Sequence, residues 1–136
     1  MLQRIQTIWL LFASVCVFLT LKFSTYSGTT KDLIPSSFLT GTSTIPLIMA
    51  TLAVGIVSLI AIFLYKNRKL QFRLTLLCVL LEALLIFLYY NQIKTFTGGA
   101  ISITALFHLG VIVFLILAAR GISSDEKLIK DSNRLR

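Results

Sequence analysis

The sequence predicts an all-α integral membrane protein, a four-helix bundle running up-down-up-down with both termini cytoplasmic. Three observations predict it. Of 136 residues, 57% are hydrophobic and 13% charged, whereas soluble domains carry roughly 45–50% and about 25%. The mean hydropathy of +0.91 leaves too little polar surface to coat a water-soluble globule. The apolar residues gather into four runs, and at about 20 residues per crossing four spans and their loops fit this length. A soluble enzyme, a disordered regulator and a large receptor are excluded, and residues 1–136 read as one membrane domain.

The first run, Ile5 to Leu21 between Arg4 and Lys22, predicts a helix over about 4–23. A secretory signal also starts with a basic residue, but no small-x-small cleavage site follows here. Ala13-Ser14-Val15-Cys16 departs from a lipoprotein box, with Ala for the usual Leu and Val for the small residue before Cys. The segment is read as an uncleaved first helix. Residues 24–44 form an outer loop rich in Ser, Thr, Gly and Pro, too short and polar for a folded domain. The second helix covers about 45–65, with Pro46 in its first turn, where the missing N–H costs little. The third covers about 70–91 and the fourth about 100–119. The link from Asn91 to Gly98-Gly99 is short enough to make those two an antiparallel hairpin. In the tail, 120–136, Leu128 and Leu135 lie seven apart with Ile129 beside the first. A short amphipathic helix there would anchor on the anionic leaflet or dock a cytoplasmic partner.

Charge sets the orientation. Arg4, Lys66, Arg68, Lys69, Arg73, Arg120, Lys127, Lys130, Arg134 and Arg136 fall on one side; only Lys22, Lys31 and Lys94 fall on the other. The positive-inside rule makes the first side cytoplasmic. It accounts for the net +8 as an address and an inner-leaflet contact, not a nucleic-acid footprint. Trp9 and Tyr65 then mark the inner interface, and Tyr26, Tyr89 and Tyr90 the outer one.

Chemistry within the spans is sparse. Glu82 is the one acidic residue inside an apolar run, and His108 is the one histidine. Both lie about 11 residues from the cytoplasmic ends of their predicted helices, a depth of roughly 16 Å. Antiparallel neighbours would let them face each other. Gln71, Thr75, Cys78, Glu82 and Tyr89 share a stripe on the third helix, and Ala100, Thr104, His108, Val111, Leu115 and Ala118 one on the fourth. Gln3, Thr7 and Ser14 align on the first, and Thr51, Gly55 and Ser58 on the second. Lipid cannot satisfy such groups, so they belong at the bundle centre. Gly55 and Gly110 read as close-packing positions.

The candidate intramembrane polar cluster is therefore Glu82, His108, Ser14 and Ser58. It is a clasp holding the bundle, a contact for a partner's helix, or a proton-linked pathway in which Glu82 and His108 exchange a proton. No mid-helix proline breaks a span, as transporter sites usually require. No phosphate-binding glycine loop, GxSxG or HExxH occurs, so no enzyme activity is expected. One histidine and two separated cysteines, Cys16 and Cys78, give neither a metal site nor a cofactor site.

Two segments resemble a known family. Met1-Leu2-Gln3-Arg4-Ile5-Gln6-Thr7 is similar to the MIQRIQT-type opening of a small four-span inner-membrane protein family of unknown function found in Bacteroidota. Asp125-Glu126-Lys127-Leu128, closing on Arg134-Leu135-Arg136, resembles that family's DEKL…RLR ending. Leu2 stands where Ile is usual, and Asp131-Ser132-Asn133 where a more apolar triplet is commoner. The resemblance implies a bacterial inner-membrane location and no activity. It also suggests that the two cytoplasmic ends meet, with Arg4 or Gln3 against Asp125, Glu126 or Asp131.

The function expected is that of a non-enzymatic accessory or structural subunit of a larger envelope complex. Its partners would be the lipid bilayer and other membrane-protein subunits. The alternative is a small proton-linked transporter or channel using Glu82 and His108. A third option is anionic-lipid recognition by Lys66, Arg68, Lys69 and Arg73.

Overall fold

A computed structural model describes residues 2–31 and 37–134, with side chains over 5–31 and 37–132. Four helices, each long and apolar enough to cross a membrane, dominate it: α1 (Leu2–Lys22), α2 (Ile45–Phe63), α3 (Arg68–Ile93) and α4 (Leu106–Arg134). They close into a ring in which α1 and α3 each pack against both α2 and α4. Pairings of Gln6 with Asp125 and of Ser24 with Thr104 run α1 and α4 in opposite directions.

Burial is inverted relative to a soluble bundle. Ile8, Phe12, Met49, Leu80, Phe87 and Leu109 face outward, while Ser14, Thr51, Ser58, Gln71, Thr75 and Glu82 lie inside with Leu10, Val54 and Leu115. The buried hydroxyls are satisfied within their own helices: Thr51 donates to the Leu47 carbonyl (2.6 Å) and Thr75 to that of Gln71 (2.9 Å). Such back-bonding lets a polar residue sit in an apolar span at little cost. At Gly55 a methyl group would stand 2.6 Å from the Phe18 ring, so that ring of α1 packs directly on the α2 backbone. Gly110 differs from expectation. A methyl there would meet Phe114 at an ordinary 3.8 Å, so that position enforces no close approach.

The all-α expectation needs correction at one end of the bundle. Residues of the outer loop and of the α3–α4 link form an antiparallel sheet, β1 (Tyr26–Thr30), β2 (Ser37–Leu39) and β3 (Phe96–Ile101), in the order β2-β1-β3. Tyr26 pairs with Leu39 on one side and Ile101 on the other, and Gly28 with Gly99. β-branched and aromatic residues (Tyr26, Thr29, Thr30, Phe96, Thr97, Ile101) favour extended backbone, and pairing gives their N–H and C=O groups partners. Beyond β2 the chain is tied to α1 by Gly41 N–H to the Thr20 carbonyl (3.0 Å), and Ser102 N–H to that of Thr25 (3.0 Å) extends the pairing of β1 with β3.

Beneath the sheet, Tyr26, Leu39, Leu47, Leu85 and Tyr89 form a second apolar cluster. Tyr26 and Tyr89 are thus buried and do not form the outer aromatic belt predicted for them. Tyr90 is exposed, with the Lys94 ammonium 4.6 Å from its ring centre. Gly28 and Gly99 are required: a methyl on Gly28 would fall 2.7 Å from the Gly99 Cα. Gly28→Val is expected to unpair β1 from β3 and cost about 2 kcal/mol. The check is thermal unfolding together with amide exchange of residues 96–101; an unaltered exchange pattern there would refute it.

The fourth helix is also displaced from its predicted 100–119. Residues 96–101 are strand, a 3-10 turn covers Ile103–Ala105, and α4 then runs unbroken through the segment read as a tail. Ile122 and Asp125 are buried, and a methyl on Gly121 would meet the Gln6 side chain at 2.8 Å. Packing against α1 carries the helix past a glycine and a charged run that otherwise signal its end.

Candidate functional site

Two polar centres occupy the bundle. In the first, His108 Nδ1 and Glu82 Oε1 are 2.7 Å apart, with Glu82 fully buried and His108 5% exposed. Glu82 belongs to the buried stripe of α3, two turns above Thr75 and one above Cys78. His108 lies in the first turn of α4 and not mid-helix, because that helix starts at Leu106 and not at Ala100. The other two members of the predicted cluster do not join this pair. Ser14 donates to the Leu11 carbonyl (2.9 Å). Ser58 donates to the Val54 carbonyl (2.7 Å) and faces Cys78 Sγ at 3.6 Å.

The pair is only half satisfied. Glu82 Oε2 and His108 Nε2 are buried without a hydrogen-bond partner. So are the Tyr89 hydroxyl and Thr25 Oγ1, although Tyr89 lies beside Thr20 and Thr25 and its ring sits 4.8 Å from that of His108. His108, Tyr89 and Thr25 line an apolar cleft of about 390 Å³ between α3 and α4 at the sheet end. Tyr89 belongs to the polar stripe expected on α3 but not to the expected cluster, and Thr25 falls within the expected outer loop.

The second centre lies at the opposite end. Gln6 Nε2 donates to Asp125 Oδ2 (2.6 Å), and the Arg68 guanidinium stands 3.9 Å from the same oxygen. Gln6 and Asp125 are each 5% exposed. The first and last helices therefore do meet, through Gln6. The side chains of Gln3, Arg4 and Arg134, and the whole of Arg136, lie outside the described residues. Glu126 pairs instead with Lys130 one turn on (3.1 Å). Gln6 was legible in principle, since it continues the buried series Leu10, Ala13, Val17 and Thr20; a stripe drawn through Gln3 and Thr7 missed it.

Lys66, Arg68, Lys69 and Arg73 line a groove of about 540 Å³ with Ile129 and Lys130 of α4. These four of the predicted basic contacts share one surface with Glu126, and Asp125 reaches it through Arg68.

Comparison with curated proteins and with solved structures finds no match. A family model does match, over residues 2–135. The chain belongs to the family described as Domain of unknown function (DUF4293).

Proposed function

We propose that this protein is a non-enzymatic accessory subunit of a larger envelope complex, seated in the bacterial inner membrane with both termini cytoplasmic. The single observation that carries the reading is the length of α4. Its 29 residues extend about 43 Å, against roughly 30 Å of hydrocarbon. The excess projects as a continuous helix bearing Leu128 (55% exposed) and Ile129 (44% exposed) beside the basic groove. Exposed apolar side chains rimmed by Lys and Arg suit an acidic cytoplasmic segment of a partner subunit. The positive-inside rule supports the orientation, since the basic residues of the groove and of α4 share that end.

Purification in gentle detergent from the native host, followed by protein identification, tests this reading. A partner is expected to co-purify with the wild type and to be lost from Leu128→Asp/Ile129→Asp. Recovery of this chain alone at its monomer mass counts against an accessory role. If Lys66, Arg68, Lys69 and Arg73 instead retain only anionic lipid, the groove is a leaflet contact. A second reading, a small proton-linked transporter or channel, is favoured by one observation: the buried, unpartnered Oε2 of Glu82 and Nε2 of His108.

A further inference from the structure

We infer that the cleft between α3 and α4 is a binding site for a neutral lipid-soluble molecule whose ring head bears carbonyl or hydroxyl oxygens, of the quinone and quinol class. Three residues of its lining, Thr25, Tyr89 and His108, are each at most 5% exposed and each carries a buried polar atom without a partner. Leaving such groups unpaired costs free energy; they lie just behind the apolar surface of the cleft, with the Tyr89 and Thr25 side chains adjacent, so a polar head that parts that surface finds partners there. Apart from Ser102 and Tyr90 the remaining lining is apolar, with Ile86 and Ile93 as walls and the outward-facing Leu106 and Leu109 at the rim. A molecule dissolved among acyl chains reaches it from the side. The volume of about 390 Å³ falls within the usual range for small-molecule sites, roughly 300–1,000 Å³.

The lining also selects the head. It contains no Lys, Arg, Asp or Glu, so a phosphate or carboxylate would enter as an uncompensated buried charge. The exposed Tyr90 ring at the edge offers a face to a planar ring, with the packed Tyr89 and His108 rings behind it. His108 can serve either oxidation state of such a ring. With Nδ1–H donated to an ionised Glu82, Nε2 holds a lone pair and accepts from a hydroxyl. With one more proton on the pair, Nε2 carries hydrogen and donates to a carbonyl. Tyr89 and Thr25 hydroxyls both donate and accept, which suits the same alternation. No electron transfer is implied; the proposal concerns binding alone.

The site rests on the reading that the apolar helix faces meet lipid, and not on the accessory role. The test uses the full chain in phosphatidylcholine nanodiscs, labelled with ¹⁵N-histidine; His108 is the only histidine, so its two nitrogens give an unambiguous signal. Co-elution with the nanodiscs checks the membrane reading before any probe is added. The probes are 2-decyl-1,4-naphthoquinone, its dithionite-reduced quinol, and 2-decylnaphthalene, which lacks the oxygens. Saturable shifts of Nε2 with quinone and quinol, and none with decylnaphthalene, are expected. Tyr89→Phe should weaken quinone binding about tenfold. Leu109→Trp, at the exposed rim where folding is little affected, should block it. An Nε2 signal indifferent to both oxygenated probes, or one that decylnaphthalene moves equally, overturns the inference and leaves an acyl-chain packing cleft.

Discussion

Glu82→Leu is expected to destabilise the bundle by about 2 kcal/mol, because it keeps the volume of the side chain while leaving the buried His108 unpaired at both nitrogens. The instructive comparison is the double variant Glu82→Leu/His108→Phe. It removes both polar partners and retains a ring against Tyr89, so it should return to within about 1 kcal/mol of wild type. Interhelical hydrogen bonds in membrane proteins average only about 0.6 kcal/mol in double-mutant cycles. The large term is thus the orphaned group and not the lost bond. Unfolding in mild detergent, followed by helical circular dichroism, measures all three proteins. A double variant as unstable as Glu82→Leu would mean that the pair contributes through its surroundings. The same set separates clasp from pathway. If the pair only holds the bundle, Glu82→Gln leaves the proton permeability of reconstituted vesicles unchanged. If it conducts, Glu82→Gln abolishes flux with folding and abundance intact.

The second large effect belongs to the opposite end. Asp125→Ala should cost about 3 kcal/mol, since it strips a buried amide of its acceptor and a guanidinium of its counter-charge together. Asp125→Asn keeps an acceptor for Gln6 and should cost about 1 kcal/mol. The loss is local, so it is best read by where α4 opens. Amide exchange over residues 120–132 should accelerate in Asp125→Ala, and trypsin should cut after Lys127 where the wild type resists. Wild-type protection in that stretch would show that Ile122 and Gly121 hold α4 to α1 unaided.

The helical frame was legible because each span is long, apolar and bounded by charge, and those signals are local. The meeting of Glu82 and His108 was legible from depth arithmetic on two antiparallel neighbours, although the start of α4 was misplaced. Ser14 and Ser58 were misassigned for a physical reason. A serine in an apolar helix finds its own i−3 or i−4 carbonyl closer than any neighbour's carboxyl, so sharing the buried face does not mean sharing a bond. The sheet was illegible because β1 and β3 draw their stability from each other across about half of the chain. Each alone is a run of Gly, Ser and Thr that composition reads as loop. The continuation of α4 failed in the same way. Gly121 and the charges after it locally end a helix, and packing against α1, through Gln6 and the buried Ile122, overrides them.

The pairing of Tyr26 with Ile101 has a consequence for how the chain is made. β1 emerges from the ribosome with no β3 to meet; the residues between them take several seconds to appear at roughly 5–20 residues per second. Sheet closure therefore waits until α2 and α3 have been made, with only α4 still to follow. Until then β1 waits with one edge open, and β2 alone covers the other. An edge left open at a membrane surface attracts other strands. β2 is only three residues long, and at Gly28 the partner backbone must come closer than a side chain allows, so the open edge of β1 suits the glycines of β3 better than an ordinary strand.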